Sequence, residues 1–434
     1  MAAALRPGGD ACQLSLKIDR LSLELETIML EPFTIDVSES ILTDLAERLG
    51  RTRLPESEGF EPWVDGTPST YVEELTAHWR GNFDWRAQEA ALNRFMQLRG
   101  TVDGSIVHCI HERGVGPAPM PLLLVHGYPD SVWRFHKIIP MLTDPAAYGG
   151  DPADAFDIVA PSLPGYGWSE ERHGDAGLFG FGDLFAKLME ALGYERYGAH
   201  GGDWGSTVVE QLARSHAKHL IGVHLTDVPF SHAFQKPDDL SHAEKAYLDK
   251  MEAFQKNDGA YAMIQGTRPS TPAQALNDSP AGLAAWVVEK FYEWSDCDGN
   301  IETRFTKDEL LTNVMIYWVT QTIGSSFQPY RDAMKAGAAR WTKEAAKGWI
   351  GSDKTPAAFA LFPHDIATPP REWAERFYQV EQWTEMDRGG HFAALEEPEL
   401  LAEDIRAFFR PLRLESNRAL GNQHRHSETL TAAS

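Results

Sequence analysis

The sequence predicts an α/β fold with a mostly parallel central sheet, covering helices and a helical insertion. From Pro121 onward, short apolar runs end in Gly or Pro turns, and a helical pattern follows each of them. This rhythm is typical of buried parallel strands covered by helices. Between Asp227 and Pro356 the strand rhythm stops and helix signals replace it. We therefore expect the inserted helices to lie above the carboxyl ends of the strands, as a lid over a site.

The composition of the chain limits the classes of molecule that the protein is expected to bind. The 434 residues carry a formal net charge of −23, and 43% of them are hydrophobic. The length fits two or three units, or one large α/β domain with insertions. The negative charge argues against nucleic acid and anionic membrane surfaces as partners, because both would repel it. The three cysteines lack metal-ligand spacing and predict reduced thiols; they are Cys12, Cys109 and Cys297.

Six short apolar runs are predicted strands, and a turn follows each of them. They are PLLLV before HGYP, FDIVA before PSLPGYG, RYGAHG before GDWGS, IGVHLTD at 221–227, AAFALFPHD at 357–365 and the run that ends near Met386. A helix over 184–192 ends at Gly193, a residue favoured just beyond a helix. Inside the insertion, Ser279-Pro280 begins one helix, and the capping box of Thr306 and Glu309 begins another.

These elements divide the chain into consecutive segments. An N-terminal arm (1–30) precedes a meander with the first strands (31–116), which is rich in Trp, Arg and Leu. The first part of the α/β core (117–228), the helical lid (229–352), the second part of the core (353–413) and a flexible polar tail (414–434) follow. The start lacks the unbroken apolar run of a signal peptide or membrane span. We therefore expect a soluble, cytoplasmic protein.

The stretch HGGDWGS, residues 200–206, places Asp203 at the centre of a glycine-rich turn between a strand and a helix. Such a turn, the nucleophile elbow, reverses the chain sharply and projects its central side chain from the edge of the sheet. The helix that begins behind it favours negative charge. Taken alone, the motif fits an ordinary turn with a helix-capping Asp equally well.

A second turn, HGYP at 126–129, follows an earlier predicted strand. In a fold with a nucleophile elbow, this position supplies half of an oxyanion hole. The backbone N–H groups of Tyr128 and Trp204 are therefore candidates to bind one developing oxyanion. The alternative is a turn that only ends the strand.

A histidine and an acid complete the candidate group. His391 follows a Gly-Gly turn near the C-terminus, and it stands out among 16 histidines by the chain order nucleophile, acid, histidine. The orienting acid should follow an earlier strand. Asp365, at the end of AAFALFPHD, fits this position best, and Asp227 is the rival.

A carboxylate nucleophile with a histidine base suits one kind of reaction. Attack of Asp203 on an alkyl carbon gives an ester, whereas a serine would give an ether that water does not easily cleave. Water activated by His391 can hydrolyse the ester at its carbonyl carbon, beside the oxyanion hole. The leaving group is then a halide or the oxygen of an epoxide.

Tyrosines of the insertion are candidate proton donors. An epoxide oxygen leaves as a strongly basic alkoxide and needs a proton, whereas a halide needs only solvation. Tyr261 and Tyr330 are our candidates, with Tyr317 as a rival that is more typical of packing within a helix. Aromatic residues that merely fill the lid are the alternative for all three. We expect neither a metal ion nor a cofactor.

These motifs together resemble the epoxide hydrolases of the microsomal-type branch of the α/β-hydrolase superfamily, from Pro32 to about Leu414. RLGRTRLP, GTPSTYVEELTAHWR and FDWRAQEAALNRF resemble the N-terminal meander of that branch. HGYP and GGDWGS resemble its oxyanion and nucleophile motifs, ALNDSPAGLAAWVVEKF and LLTNVMIYW its lid, and RGGHFAALEEP its histidine motif. The resemblance implies the α/β-hydrolase fold and favours Tyr261 and Tyr330 among the tyrosines.

By the same resemblance, Asp203 is the nucleophile, His391 the base and Asp365 the orienting acid. An Asp in place of Glu as the acid, and the lack of an N-terminal anchor, point to a soluble form. The implied partners are a small apolar epoxide and water. The implied role is detoxification or aromatic hydrocarbon catabolism. The resemblance does not decide whether the protein is a homodimer. A haloalkane dehalogenase-like hydrolase and a non-catalytic binding protein are the alternatives.

Overall fold

A mostly parallel sheet forms the centre of the computed structural model, which describes residues 29–56, 58–172, 177–234, 237–337 and 355–413. Within these ranges nine strands pair in the order β1-β2-β3-β5-β4-β6-β7-β8-β9. Their bounds are Met29–Phe33, Gln97–Val102, Ser105–Glu112, Met120–Val125, Phe156–Pro161, Tyr197–Gly201, Leu220–Leu225, Pro356–Leu361 and Gln379–Glu385. The tail 414–434, most of the arm 1–30 and residues 338–352 of the expected lid lie outside the described residues.

The sheet changes from antiparallel to parallel at β5. The pairs β1–β2, β2–β3 and β3–β5 are antiparallel, whereas every pair from β5 through β4, β6, β7 and β8 to β9 is parallel. Every residue of β5, β6 and β7 is buried, as expected when helices cover both faces of a parallel sheet. The predicted α/β fold with a mostly parallel sheet is confirmed.

Helices occupy both faces of the sheet and the region above its carboxyl edge. Those of the N-terminal region and the core are α1 Glu39–Gly50, α2 Ser69–Gly81, α3 Trp85–Leu92, α4 Ile138–Thr143, α5 Phe181–Ala191 and α6 Trp204–Ser215. Those that follow β7 are α7 His242–Asn257, α8 Ala260–Thr267, α9 Ser270–Asp278, α10 Pro280–Glu293, α11 Lys307–Thr320 and α12 Gln328–Ala336. After β8 come α13 Arg371–Glu375, α14 Ala393–Glu396 and a helix over 398–413.

Local signals in the sequence set several helix ends. The hydroxyl of Ser279 caps α10, which has Pro280 in its first turn. Thr306 and Glu309 form the expected capping box of α11. Beyond α5, Gly193 adopts a φ of +83°, a conformation that costs glycine little. These helix predictions are confirmed, whereas the division of the chain into segments stays a prediction.

The N-terminal region packs against the helices of the insertion. The ring of Trp63 stacks on Tyr292 at 3.9 Å between ring centroids, and the hydroxyl of Thr67 donates to the Ala285 carbonyl at 2.8 Å. His78 Nε2 lies 2.7 Å from an Asp308 carboxylate oxygen at the start of α11. These contacts fix α10 and α11 to the N-terminal region.

The turn between β6 and α6 requires glycine at Gly205, because the helix begins directly against β4. A Cβ at this position would lie 2.1 Å from the carbonyl oxygen of Val125. Such a contact forces the helix away from the strand, and overpacking of this kind costs typically 1–3 kcal/mol.

We expect Gly205→Ala to lower the free energy of unfolding by about 1–3 kcal/mol, because the added methyl group displaces α6 from β4. Urea unfolding followed by circular dichroism measures the change. Gly81→Ala at the end of α2 is the matched control, since its added Cβ meets no atom within 4 Å. Equal stability of the two variants would contradict this account of the turn.

Candidate active site

Asp203 occupies the sharp turn between β6 and α6. Its backbone has φ 56° and ψ −127°, a conformation that non-glycine residues rarely adopt and that stores strain. The carboxylate of Asp227, which follows β7, accepts the N–H of Asp203 at 2.7 Å and the hydroxyl of Ser206 at 2.5 Å. These hydrogen bonds hold the turn in its strained form, so the central side chain has a fixed direction.

Backbone N–H groups converge on the Asp203 carboxylate. Its Oδ1 accepts the N–H of Tyr128 at 2.8 Å, and the side chain is only 5% exposed. Burial raises the pKa of Asp203, while the positive charge of His391 and hydrogen bonds from the N–H groups of Tyr128 and Trp204 oppose this rise. The structure thus brings both predicted oxyanion donors to the same carboxylate.

His391 lies between two carboxylates. Its Nε2 is 3.7 Å from Asp203 Oδ2, and its Nδ1 is 2.7 Å from Asp365 Oδ1. Burial alone lowers the pKa of His391, but the charge and hydrogen bond of Asp365 and the charge of Asp203 outweigh burial and raise it to about 9. Nε2 is buried, makes no hydrogen bond to any described residue and faces the carboxylate of Asp203.

The geometry separates the two candidate acids. Asp365, in the loop after β8, makes the direct contact with His391 Nδ1. Asp227 instead accepts from the Asp203 turn, and burial and the nearby charge of Asp365 raise its pKa to about 7. Position in the sequence favours Asp365 without excluding Asp227, and the direction of each side chain distinguishes them.

Tyr261 on α8 and Tyr330 on α12 approach the Asp203 turn from the lid side. Their ring centroids are 5.7 Å apart, and the Tyr330 ring meets Trp204 edge-on at 4.9 Å. Burial raises the pKa of both hydroxyls well above 10, while a hydrogen bond from Tyr330 opposes this rise at Tyr261. Both phenols are therefore neutral and carry a proton at ordinary pH.

Tyr317 has a different partner. Its hydroxyl donates to the carbonyl oxygen of Asp130 at 2.7 Å, and its ring is buried in α11. The neighbouring Asn313 donates to the carbonyl of Pro129 at 2.8 Å. Helix α11 therefore clamps the loop that carries Tyr128, which agrees with a packing role for Tyr317.

Sequence reasoning missed Trp294 at the end of α10. Its backbone carbonyl accepts the His391 N–H at 2.7 Å, and its ring lies 5.3 Å from that of His391 and 5.4 Å from Tyr261. Its indole N–H donates to Asp258 at 2.7 Å. Trp294 thus ties the lid to the histidine turn. It is one of 13 tryptophans, and no local motif sets it apart.

Two family models and several individual proteins match this sequence. The family model described as "Epoxide hydrolase N terminus" matches residues 30–135, and the model for the alpha/beta hydrolase fold matches 120–260. A Stigmatella aurantiaca protein that carries an epoxide hydrolase name is 41% identical over 385 residues, covering 88% of this chain and 85% of that one. Epoxide hydrolase 1 of Sus scrofa is 35% identical over 410 residues, covering 87% and 88%.

The chain belongs to the epoxide hydrolase family. Its fold is also similar to that of the Aspergillus niger epoxide hydrolase, with a TM-score of 0.75, 29% identity, and coverage of 89% of this chain and 97% of that one. The enzyme is therefore an epoxide hydrolase on the α/β-hydrolase fold, which confirms the resemblance. This membership favours epoxide hydrolysis over the dehalogenase-like and non-catalytic alternatives.

Two further features of this epoxide hydrolase concern ligands and membranes. Across the described ranges, no cluster of three or more His, Cys, Asp or Glu side chains has the arrangement needed to hold a metal ion. The helices of the same ranges include none whose length and apolar character would let it cross a membrane.

We expect Asp365→Asn to lower the pKa of His391 from about 9 towards or below 6.5, because the charge that offsets burial is removed. Titration of the His391 ring signals by NMR, assigned by comparison with His391→Gln, measures this. Asp227→Asn is the matched control and should lower the pKa less, since Asp227 makes no hydrogen bond to the imidazole. A larger effect of Asp227→Asn would reverse the assignment of the acid.

Proposed function

We propose that the enzyme converts an apolar epoxide to a vicinal diol through an ester of Asp203. The observation that carries this proposal is the position of the Asp203 carboxylate. It accepts the Tyr128 N–H at 2.8 Å on one side and lies 3.7 Å from His391 Nε2 on the other, with Asp365 behind the imidazole. A carboxylate that acted only as a base for water would have no use for oxyanion donors directed at its own oxygen, which becomes the carbonyl oxygen of the ester.

In the first step a carboxylate oxygen of Asp203 attacks a carbon of the epoxide ring. The new C–O bond forms as the ring C–O bond breaks, and the ring oxygen takes a proton from Tyr261 or Tyr330. Because an alkoxide is more basic than a phenolate, a neutral phenol is acid enough to protonate it. The imidazolium of His391, whose pKa is about 9, faces the carboxylate during this step and does not act as a base.

Formation of the ester prepares the second step. Asp203 loses its negative charge, which is one of the causes of the raised pKa of His391. The pKa of the imidazole therefore falls in the intermediate, and the imidazolium gives up its proton to restore the phenol that protonated the ring oxygen, which leaves His391 neutral. It takes a proton from water, which attacks the ester carbonyl, while the N–H groups of Tyr128 and Trp204 bind the oxyanion. Collapse releases the diol, which takes its proton from His391, and the carboxyl group of Asp203 then gives its proton to the imidazole, so the carboxylate and the imidazolium are restored.

The surroundings of Asp203 support an apolar substrate. Rings of the lid and of both turns pack on one another beside the Asp203 turn, and apart from their hydroxyl and indole N–H groups they offer only apolar faces to a ligand. They are Tyr128, Trp204, Tyr261, Trp294 and Tyr330. The paired phenols suit an epoxide, because a leaving halide would require no proton donor.

We expect His391→Gln to form the ester but not to hydrolyse it, because only the second step needs a base. After mixing with styrene oxide, intact-mass spectrometry should show one substrate mass added to the protein, located on the Asp203 peptide. His391→Gln combined with Asp203→Ala is the control and should gain no mass. An adduct in the double variant, or none in the single variant that still binds substrate, would refute the ester.

Single substitutions of Tyr261 or Tyr330 by Phe should slow ester formation by about ten- to a hundredfold. A hydrogen bond to a charged group contributes about 1.5–3 kcal/mol, which corresponds to this range. The double variant should nearly lose ester formation, as measured by rapid quench and mass spectrometry. Tyr317→Phe serves as the control, since its hydroxyl binds the Asp130 carbonyl. If the double variant formed the ester at the wild-type rate, the two tyrosines would only contribute to the packing of the lid.

A further inference from the structure

Arg134 is a buried cation beside the histidine turn. It follows the loop of Tyr128, in the short helix Val132–Phe135, and is 2% exposed. Its Nη1 pairs with Asp130, and its Nη2 donates to the backbone carbonyl of His391 at 2.6 Å. A buried guanidinium is costly unless its charge and N–H groups are satisfied. One of its hydrogen-bond partners is the backbone carbonyl of His391, the residue proposed as the base.

Asp130 extends this contact to the oxyanion loop. Its second oxygen, Oδ1, accepts the N–H of Gly127 at 3.0 Å, one residue before Tyr128. A continuous set of hydrogen bonds therefore runs from Gly127 through Asp130 and Arg134 to the carbonyl of His391. It joins the turn that supplies an oxyanion donor to the turn that supplies the imidazole.

The charge of Arg134 also acts on the site. Burial opposes its positive charge, but Asp130, Asp203 and Asp365 all stabilise it. Conversely, the guanidinium opposes the effect of the carboxylates on His391 and lowers the pKa of its imidazole. The charged or titratable side chains around the histidine turn include Asp130, Arg134, Asp203, Asp227, Asp296, Asp365 and Glu396. His126 lies beside Asp130, with 3.5 Å between Nδ1 and Oδ1.

We propose that Arg134 is a positioning residue that fixes the histidine turn against the oxyanion loop and, through its charge, keeps His391 available as a base in the ester. This inference rests on the proposed function. Without the cation, carboxylates dominate the surroundings of His391, so the imidazole binds its proton more tightly. Ester hydrolysis, which rises with pH as His391 loses that proton, should then begin at higher pH.

Arg134→Met tests this role. Rapid-quench measurements should show that the pH profile of ester hydrolysis shifts to higher pH. On the acid side of this profile, hydrolysis should be about tenfold slower if the pKa of His391 rises by one. Ester formation at the same pH should change much less. Arg134→Lys keeps the charge and should retain the wild-type pH profile. A wild-type profile for folded Arg134→Met would overturn the proposal.

Asp130→Asn distinguishes an electrostatic effect on His391 from a general disturbance of the fold. It removes a negative charge near His391 and leaves Arg134 in place, so the profile should shift to lower pH. If Arg134→Met does not fold, the combined variant Asp130→Asn/Arg134→Met removes both charges of the pair. Because Arg134 contacts His391 directly and Asp130 contacts Arg134 instead, a smaller shift of the profile to higher pH is still expected. Shifts of Asp130→Asn and Arg134→Met in the same direction would overturn the proposal.

NMR titration of the free enzyme provides a readout that needs no ester. The pKa of His391, about 9 in the wild type, should rise in Arg134→Met and fall in Asp130→Asn. If no ester accumulates in His391→Gln, the proposed mechanism fails, whereas opposite NMR shifts would still establish the action of Arg134 on His391. Unchanged NMR titrations would refute that action even where the ester forms.

Discussion

The hydrogen bonds that hold the Asp203 turn are the constraint on which the rest of the site depends. A non-glycine residue at φ 56° persists only when its surroundings impose this conformation. Asp227 does so by accepting the N–H of Asp203 and the hydroxyl of Ser206. Gly205 lets α6 start against β4. Without this arrangement, the carboxylate could not lie between the Tyr128 N–H and the imidazole of His391.

The ionisable groups of the site act as one coupled set. Three buried carboxylates, of Asp203, Asp227 and Asp365, lie near a single imidazole, and the buried guanidinium of Arg134, which pairs with Asp130, offsets part of their charge. Because the charges of Asp365 and Asp203 raise the pKa of His391, the loss of charge at Asp203 lowers it again. In the proposed reaction, ester formation thereby converts His391 from a cation that faces the nucleophile into a base for water.

The lid contributes to both proposed steps. Tyr261 and Tyr330 come from different helices, α8 and α12, and meet above the elbow. Trp294 at the end of α10 fixes the backbone of His391, and α11 fixes the loop of Tyr128 through hydrogen bonds. The N-terminal region contacts α10 and α11 as well, through the stacking of Trp63 on Tyr292 and the contact of His78 with Asp308. Proton donors, base and oxyanion donor therefore depend on the docking of the lid.

The sequence by itself determined the α/β fold with its mostly parallel sheet and inserted helices, several helix ends, and the turns of Tyr128, Asp203 and His391. These features depend on local patterns, namely strand–turn–helix rhythm, capping residues and glycines that the chain reversal requires. The tertiary structure decided the rest. It directed Asp365 towards His391, turned Asp227 to the Asp203 backbone, and brought Trp294 and Arg134 to the histidine turn. The physical reason is that side-chain direction, burial and charge coupling arise between segments far apart in the chain, and no local pattern records them.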